Sequence, residues 1–401
     1  MSADNPCLVT VVGIGAGGWS ELSRTSHGAL EAARMIMGSA RQLSLLPPSV
    51  TAQRVQLPSP LLPALSSYLE EPGLVVLASG DPMFHGIGAT LVRLAGSDRV
   101  RVIPHPSSAA LAAARMGWPL ATTEVISLVT ADPATVRRAL NPGQRLLVLS
   151  RDASTPGAVA SLVAAAGFGS ASITVLSQLG GPAELRISGF AASWEHPPGD
   201  PLNVIAIDCG PDGPATSVAP GLPDSLYETD GQLTKREVRA VTMAVLAPVP
   251  GALLWDVGAG SGSIGIEWMR SHPSCRAIAI ESAPARVASI RTNASVLGVP
   301  GLSVVTGRAP EALDGLPTPD TIFIGGGLTN DGVLDACLTA LRPGGRLVAN
   351  AVTLESEAAL AAAHAELGGD LIRLSVSRGS PVGNFTGWRP MMPVTIWSTT
   401  R

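Results

Sequence analysis

The sequence is poor in the residues by which many functions are recognised. Aromatic residues make up 3% of its 401 positions, too few for the stacking platforms of a single-strand nucleic-acid binder. Charged residues make up only 14%, and the formal net charge is −4, which argues against a polyanionic partner. Lysine occurs once, at Lys235. The four cysteines, Cys7, Cys209, Cys275 and Cys337, lie far apart and form no close pair. That spacing excludes a disulfide scaffold and offers no metal-ligand set, so no metal is expected. The six histidines are equally scattered. Every long apolar stretch is broken by polar residues, and the opening "MSADNP" places no basic region ahead of an apolar one. Neither a membrane span nor an export signal is expected. The expectation is a soluble cytoplasmic enzyme, a homo-oligomer, acting on a small molecule without nucleic-acid or membrane partners.

What is abundant is apolar residue, at 46%, and glycine, at 44 positions. In the first half, short apolar runs read as buried strands: "CLVTVVGI", "GLVVLAS", "VRVIP", "RLLVLS", "SITVLS" and "NVIAID". Alanine-rich segments such as "SSAALAAARMG" read as helices between them, giving α/β layers. The stretch "CGPDGPATSVAPGLPDS" then interrupts every periodicity with Pro and Gly and reads as a linker. Beyond it a regular strand–helix alternation resumes from "KREVRAVTMAVLA" through "ALLWDVG", "SIGIEWMRS", "RAIAIE" and "RLVANAV". That series predicts a doubly wound parallel sheet. The division expected is 1–210, a linker at 211–225, and 226–401.

Each half opens on a glycine-rich turn. "WDVGAGSGSIG" places Gly258, Gly260 and Gly262 between a strand and a helix. Such a turn lets a ligand approach the backbone, with helix N–H groups aimed at it. The spacing alone is shared by nicotinamide, flavin and S-adenosylmethionine enzymes. Charge favours the last. Asp256 precedes the first glycine by two residues, and a carboxylate there attracts a sulfonium or ammonium but repels a pyrophosphate. Glu281, ending the next strand, can accept hydrogen bonds from both ribose hydroxyls. In "GRAPEAL", Arg308 and Ala309 follow the third strand, where a small residue can lie against adenine. The first turn, "VVGIGAGG", carries Gly13 and Gly15, and "SGDP" adds Gly80 for close backbone approach and Asp81 as a carboxylate. Ser107 and Ser108 precede a helix, where capping it and binding a ligand are both open to them.

The segments "LTKREVRAVTMAVLAP", "TGRAPEAL", "IFIGGG" and "LRPGGRLVANAVTLE" resemble the C-terminal half of the precorrin C-5,15-methyltransferase (decarboxylating) family of cobalamin biosynthesis. A stand-alone cobalt-precorrin methyltransferase resembles the same half. The family typically has Met where Leu233 stands. "VVGIGAGGWSELS", "ASGDPMFHGIG" and "VIPHPSSAALAAARMGWP" resemble the tetrapyrrole methylase family, in which Pro is frequent at Ala16 and Thr at Ser23.

The resemblance implies a two-lobed tetrapyrrole methylase domain followed by a Rossmann-like domain, each binding S-adenosylmethionine. The donor-site residues are then Gly13, Gly15, Gly80 and Asp81 in one half. In the other they are Thr234, Asp256, Gly258, Gly260, Gly262, Glu281, Arg308 and Ala309. It further implies methylation of a reduced precorrin at C-5 by the first half and at C-15 by the second. Decarboxylation of the ring C acetate would accompany the latter, giving precorrin-8. A macrocycle carrying carboxylates calls for cationic partners. His85, Lys235, Arg236, Arg378 and Arg389 are the candidates, and a solvated helix face is the competing reading of the Lys235–Arg236–Arg239 cluster. Methyl transfer to an enamine-like carbon obliges no strong base, and no catalytic residue is assigned.

Overall fold

The structure, a computed structural model, describes residues 9–58, 65 and 67–401. Its contacts divide the chain into two units, one running through Pro133 and resuming as Asn141–Pro214, the other made of Ala134–Leu140 and Ala215–Arg401.

The first unit holds two sheets. In one, β1 (Val9–Ile14), β2 (Met35–Gly38), β3 (Gln53–Gln56), β4 (Leu74–Ser79) and β5 (Val100–Ile103) align in the order β3-β2-β4-β1-β5. All its pairings are parallel, and β1 lies between β4 and β5. Its inner strands β2, β4 and β1 read as nearly continuous apolar runs because both faces are covered: Val12, Ile14 and Leu77 pack on one side, Val11, Val76 and Leu91 on the other. The other sheet contains β6 (Glu124–Ser127), β7 (Arg145–Leu149), β8 (Ser172–Ser177), β9 (Leu185–Phe190) and β10 (Asn203–Asp208), in the order β6-β7-β10-β8-β9. Only its β6–β7 pairing is parallel.

The second unit is built on seven strands: β11 (Leu253–Val257), β12 (Arg276–Glu281), β13 (Ser303–Thr306), β14 (Thr321–Ile324), β15 (Arg346–Ala351), β16 (Asp370–Leu374) and β19 (Val394–Thr400). Their order is β13-β12-β11-β14-β15-β19-β16. The five strands from β11 to β15 are parallel, as the strand–helix alternation predicts. The final strand departs from that pattern: β19 enters antiparallel between β15 and β16. It can do so because a hairpin of β17 (Ser377–Val382) and β18 (Phe385–Pro390) reverses the chain before it. The order reverses at β11, so the turn after that strand sits at the switch point where open α/β sheets bind ligands.

The stretch read as a linker is fastened to the second unit at its end. Leu222 is buried, and the Gly221 and Leu222 N–H groups donate to Glu267. Among the described residues no helix is long and apolar enough to cross a membrane.

Candidate donor and substrate sites

In the second unit, the turn after β11 opens onto a cavity of about 1030 Å³ along the carboxyl ends of the parallel strands. Its wall includes Thr234, Lys235, Gly258, Gly260, Glu281, Arg308 and Ala309. The turn is tight because β11 and β14 are neighbours: a β-carbon on Gly258, whose φ is +71°, would lie 2.7 Å from the backbone of Gly326. Only glycine combines that torsion with that approach. Gly262, also expected at the ligand, is not in the wall. It starts the helix Ser263–Ser271, and its bare α-carbon admits Ile290.

The two acids expected at the donor have different duties. Glu281 is 5% exposed and lines the cavity. Its Oε2 accepts from Gly260 N–H at 2.8 Å and its Oε1 from Ala283 N–H at 2.9 Å. A carboxylate so fixed still has lone pairs for ligand hydroxyls. Asp256 does not reach the cavity, which corrects the expectation that it faces the sulfonium. It lies beneath the turn, where Oδ2 accepts from Gly265 N–H at 2.9 Å and Oδ1 has no partner among the described residues. Burial pushes its pKa up to about 7, against the lowering by the Gly265 N–H, with the nearby charge of Glu281 adding to the rise. It shapes the turn from below.

The cationic candidates separate likewise. Lys235 precedes the helix Arg236–Leu246 and lines the cavity. Arg236 is exposed outside the wall, packing its stem near Gly221. Arg378 and Arg389 face one another across the β17–β18 hairpin, and neither lines the cavity. Arg378 is spent on Glu237 at 2.6 Å and Asp224 at 3.3 Å. Arg239, from the same cluster, is fully buried and binds Glu267, so it is no solvated face.

In the first unit a cavity of about 410 Å³ is lined by Gly15, Ser39, Arg41, Ser79, Gly80, His85, Ser108, Ser150 and Asn203, amid leucines such as Leu77, Leu149 and Leu176. Gly13 lies behind this wall; a side chain there would collide with the Gly80 carbonyl, so it serves the packing of strand ends. Asp81 is also outside the wall. Its Oδ1 accepts from Met83 N–H at 2.8 Å, closing its own turn. No acidic side chain stands among the described lining residues, so Asp81, expected as the carboxylate beside a cation, does not border this cavity. His85 is in the wall with φ +55°, its ring edge-on to Phe84. Ser107 caps its helix by accepting from Ala110 N–H, while Ser108 faces the cavity.

Sequence reasoning passed over Ser39, Arg41, Gln42, Ser150 and Asn203 in one cavity and Ser261, Arg286, Asn330 and Asn350 in the other. Asn350 carried a signal, a polar residue inside the apolar strand "RLVANAV". The others sit in turns or at element ends, where polar residues are ordinary.

Residues 8–193 match the family described as Tetrapyrrole (Corrin/Porphyrin) Methylases, and residues 225–401 the Precorrin methyltransferase domain. A Mycobacterium tuberculosis protein named precorrin-6Y C(5,15)-methyltransferase (decarboxylating) is 52% identical, covering 98% of this chain and 100% of its own. A Sinorhizobium protein of the same name is 46% identical over 100% of this chain and 99% of its own. A Salmonella typhimurium protein named cobalt-precorrin-6B C(15)-methyltransferase (decarboxylating) is 32% identical over 41% of this chain and 86% of its own. The chain belongs to the precorrin-6Y C(5,15)-methyltransferase (decarboxylating) family, carrying both of its methylase domains in one polypeptide.

Proposed function

We propose that this chain methylates a reduced precorrin at C-5 and C-15 with S-adenosylmethionine and removes the carboxyl of its ring C acetate, giving precorrin-8. Residues 1–210 take the C-5 step, 226–401 the C-15 step with decarboxylation, and 211–225 join them. Each half has its own donor site, and the chain works in the cytoplasm as a homo-oligomer; light scattering tests the last point. The observation that carries the reading is that the two glycine turns open onto separate cavities, one in each unit.

The larger cavity fits the donor. Its turn is a bare-backbone cradle, Glu281 is placed for ribose hydroxyls, and Ala309 leaves a flat surface for a base. At about 1030 Å³ it is as large as the upper range of small-molecule sites, room enough for part of a second molecule. The donor supplies an electrophilic methyl group on a sulfonium. The chain's own part is to hold the accepting carbon in line with it and to keep water out. Met391, Met392, Val352 and Val394 make the apolar wall for that purpose. Lys235, a cation in that wall just before the helix Arg236–Leu246, pairs with a macrocycle carboxylate and orients it. When the acetate C–C bond breaks, its electron pair passes into the macrocycle, a proton takes its place there, and carbon dioxide leaves. In the first unit, hydroxyls, backbone groups and Arg41 do the holding, with His85 against the substrate.

The test is a turnover with methyl-labelled donor. The chain should place two labelled methyls on the precorrin and release carbon dioxide. Glu281→Ala should place one methyl, at C-5, and release none. A variant still giving both methyls and carbon dioxide would sink the assignment of the second half.

A further inference from the structure

The sequence reading gives Asn350 no role, yet the fold places it with care. It lies near the carboxyl end of β15, between the buried Ala349 and Ala351, and lines the larger cavity. Its Nδ2 donates to the Thr242 hydroxyl at 2.9 Å, and Thr242 is wholly buried on the helix Arg236–Leu246. Its Oδ1 is buried and accepts no hydrogen bond from any described residue. Buried acceptors are satisfied in the great majority of cases, so an unpaired one on a cavity wall asks for a ligand donor. With Nδ2 given to Thr242, Oδ1 is the amide atom left for a donor from the cavity.

Strand order separates this atom from the donor's place. Glu281 ends β12, on one side of β11, whereas β15 lies on the other side beyond β14. Around Asn350 the wall continues through Val352, Met391, Met392 and Val394, all apolar. A single acceptor in an apolar wall recognises an N–H on an otherwise apolar face. The donor's ribose hydroxyls belong with Glu281; a reduced tetrapyrrole brings ring N–H groups on a flat apolar body.

We propose that Asn350 is a substrate-binding residue whose amide oxygen accepts a hydrogen bond from a ring N–H of the macrocycle, with Thr242 as the positioning residue that orients it. The inference rests on the tetrapyrrole reading above. The experiment measures, on the full chain, the KM of a reduced precorrin for carbon dioxide release, and separately the affinity for S-adenosylhomocysteine. Asn350→Ala should raise that KM about tenfold, the worth of one hydrogen bond, with affinity for S-adenosylhomocysteine unchanged within twofold. Thr242→Val, which does not touch the cavity, should raise KM roughly threefold with kcat kept, because the acceptor loses its orientation and not its identity. Should Asn350→Ala fail to fold, Thr242→Val alone decides: an unchanged KM overturns the proposal. An unchanged KM in a folded Asn350→Ala, or lost S-adenosylhomocysteine affinity with KM intact, overturns it as well. Failure of the underlying reading shows elsewhere, in an unsubstituted chain that releases no carbon dioxide at all.

Discussion

Asp256 is a buried carboxyl group with one hydrogen bond and, among the described residues, no cation beside it. Its folded-state pKa is raised from 3.8 to about 7, so across that interval the native chain keeps a proton that the unfolded chain has released. Stability therefore falls as pH rises through the interval and levels off above it. Asp256→Asn keeps the shape and removes the titration. The difference in melting temperature between the chain and this variant should move by several degrees in the variant's favour between pH 5 and pH 8. Parallel melting profiles would show that the carboxylate is ionised and paired throughout. The same residue marks how far side-chain roles were legible. "WDVGAGSG" with a following "RAIAIE" announces two acids near a glycine turn, and both are near it. Which one faces the cavity depends on where each stands relative to its strand's end: Asp256 lies within β11, whereas Glu281 is the last residue of β12. That offset is tertiary information. Asp81 escaped for another reason, since an aspartate in a turn can satisfy its own backbone two residues on.

At the scale of elements, the wall that carries Thr234 and Lys235 is held by a buried cluster. Arg239 is fully buried and meets Glu267 through its Nε, the Thr234 and Leu222 carbonyls through its other nitrogens, and the face of Tyr227 at 4.7 Å. Glu267 also accepts from Tyr227 OH at 3.0 Å and from the Gly221 and Leu222 N–H groups. The cluster thus joins the helix Arg236–Leu246, the helix that follows the glycine turn, and the chain arriving from residue 221. Removing one partner of a buried ion pair leaves a charge without compensation. Arg239→Met should cost the second unit about 3–5 kcal/mol, read as a lowered transition in scanning calorimetry. Tyr227→Phe removes one bond to a charged group and should cost about 1.5–3 kcal/mol. A Tyr227→Phe loss equal to that of Arg239→Met would mean the ion pair contributes nothing of its own. The helices and central strands here were readable from apolar runs of the right length, since buried parallel strands and their covering helices leave that mark. Short edge strands such as β3, and the hairpin β17–β18, left none: they are largely exposed, so nothing forces an apolar pattern on them.

For the whole molecule, the decisive question is whether one chain holds two donors at once. The two cavities differ in kind: the one in the second unit has an acid fixed on its glycine turn, the one in the first has none in its described wall. A cationic donor bound in each would meet a formal negative charge in one and only dipoles, with Arg41 nearby, in the other, and the two sites should respond differently to salt. Titration with S-adenosylmethionine should give two equivalents per chain, the second-unit site weakening more steeply as ionic strength rises. Glu281→Ala removes the acceptor for both ribose hydroxyls; at about 1.5–3 kcal/mol for a bond to a charged group, it should weaken that site roughly a hundredfold, leaving one equivalent. Gly15 is in the wall of the smaller cavity, and there even a β-carbon would stand 2.8 Å from the His105 ring behind it; Gly15→Leu should therefore disrupt that wall and leave the other equivalent. The double variant should bind none. If Gly15→Leu still took up two equivalents, the smaller cavity would not be a donor site, and both methyl groups would have to leave from a single turn.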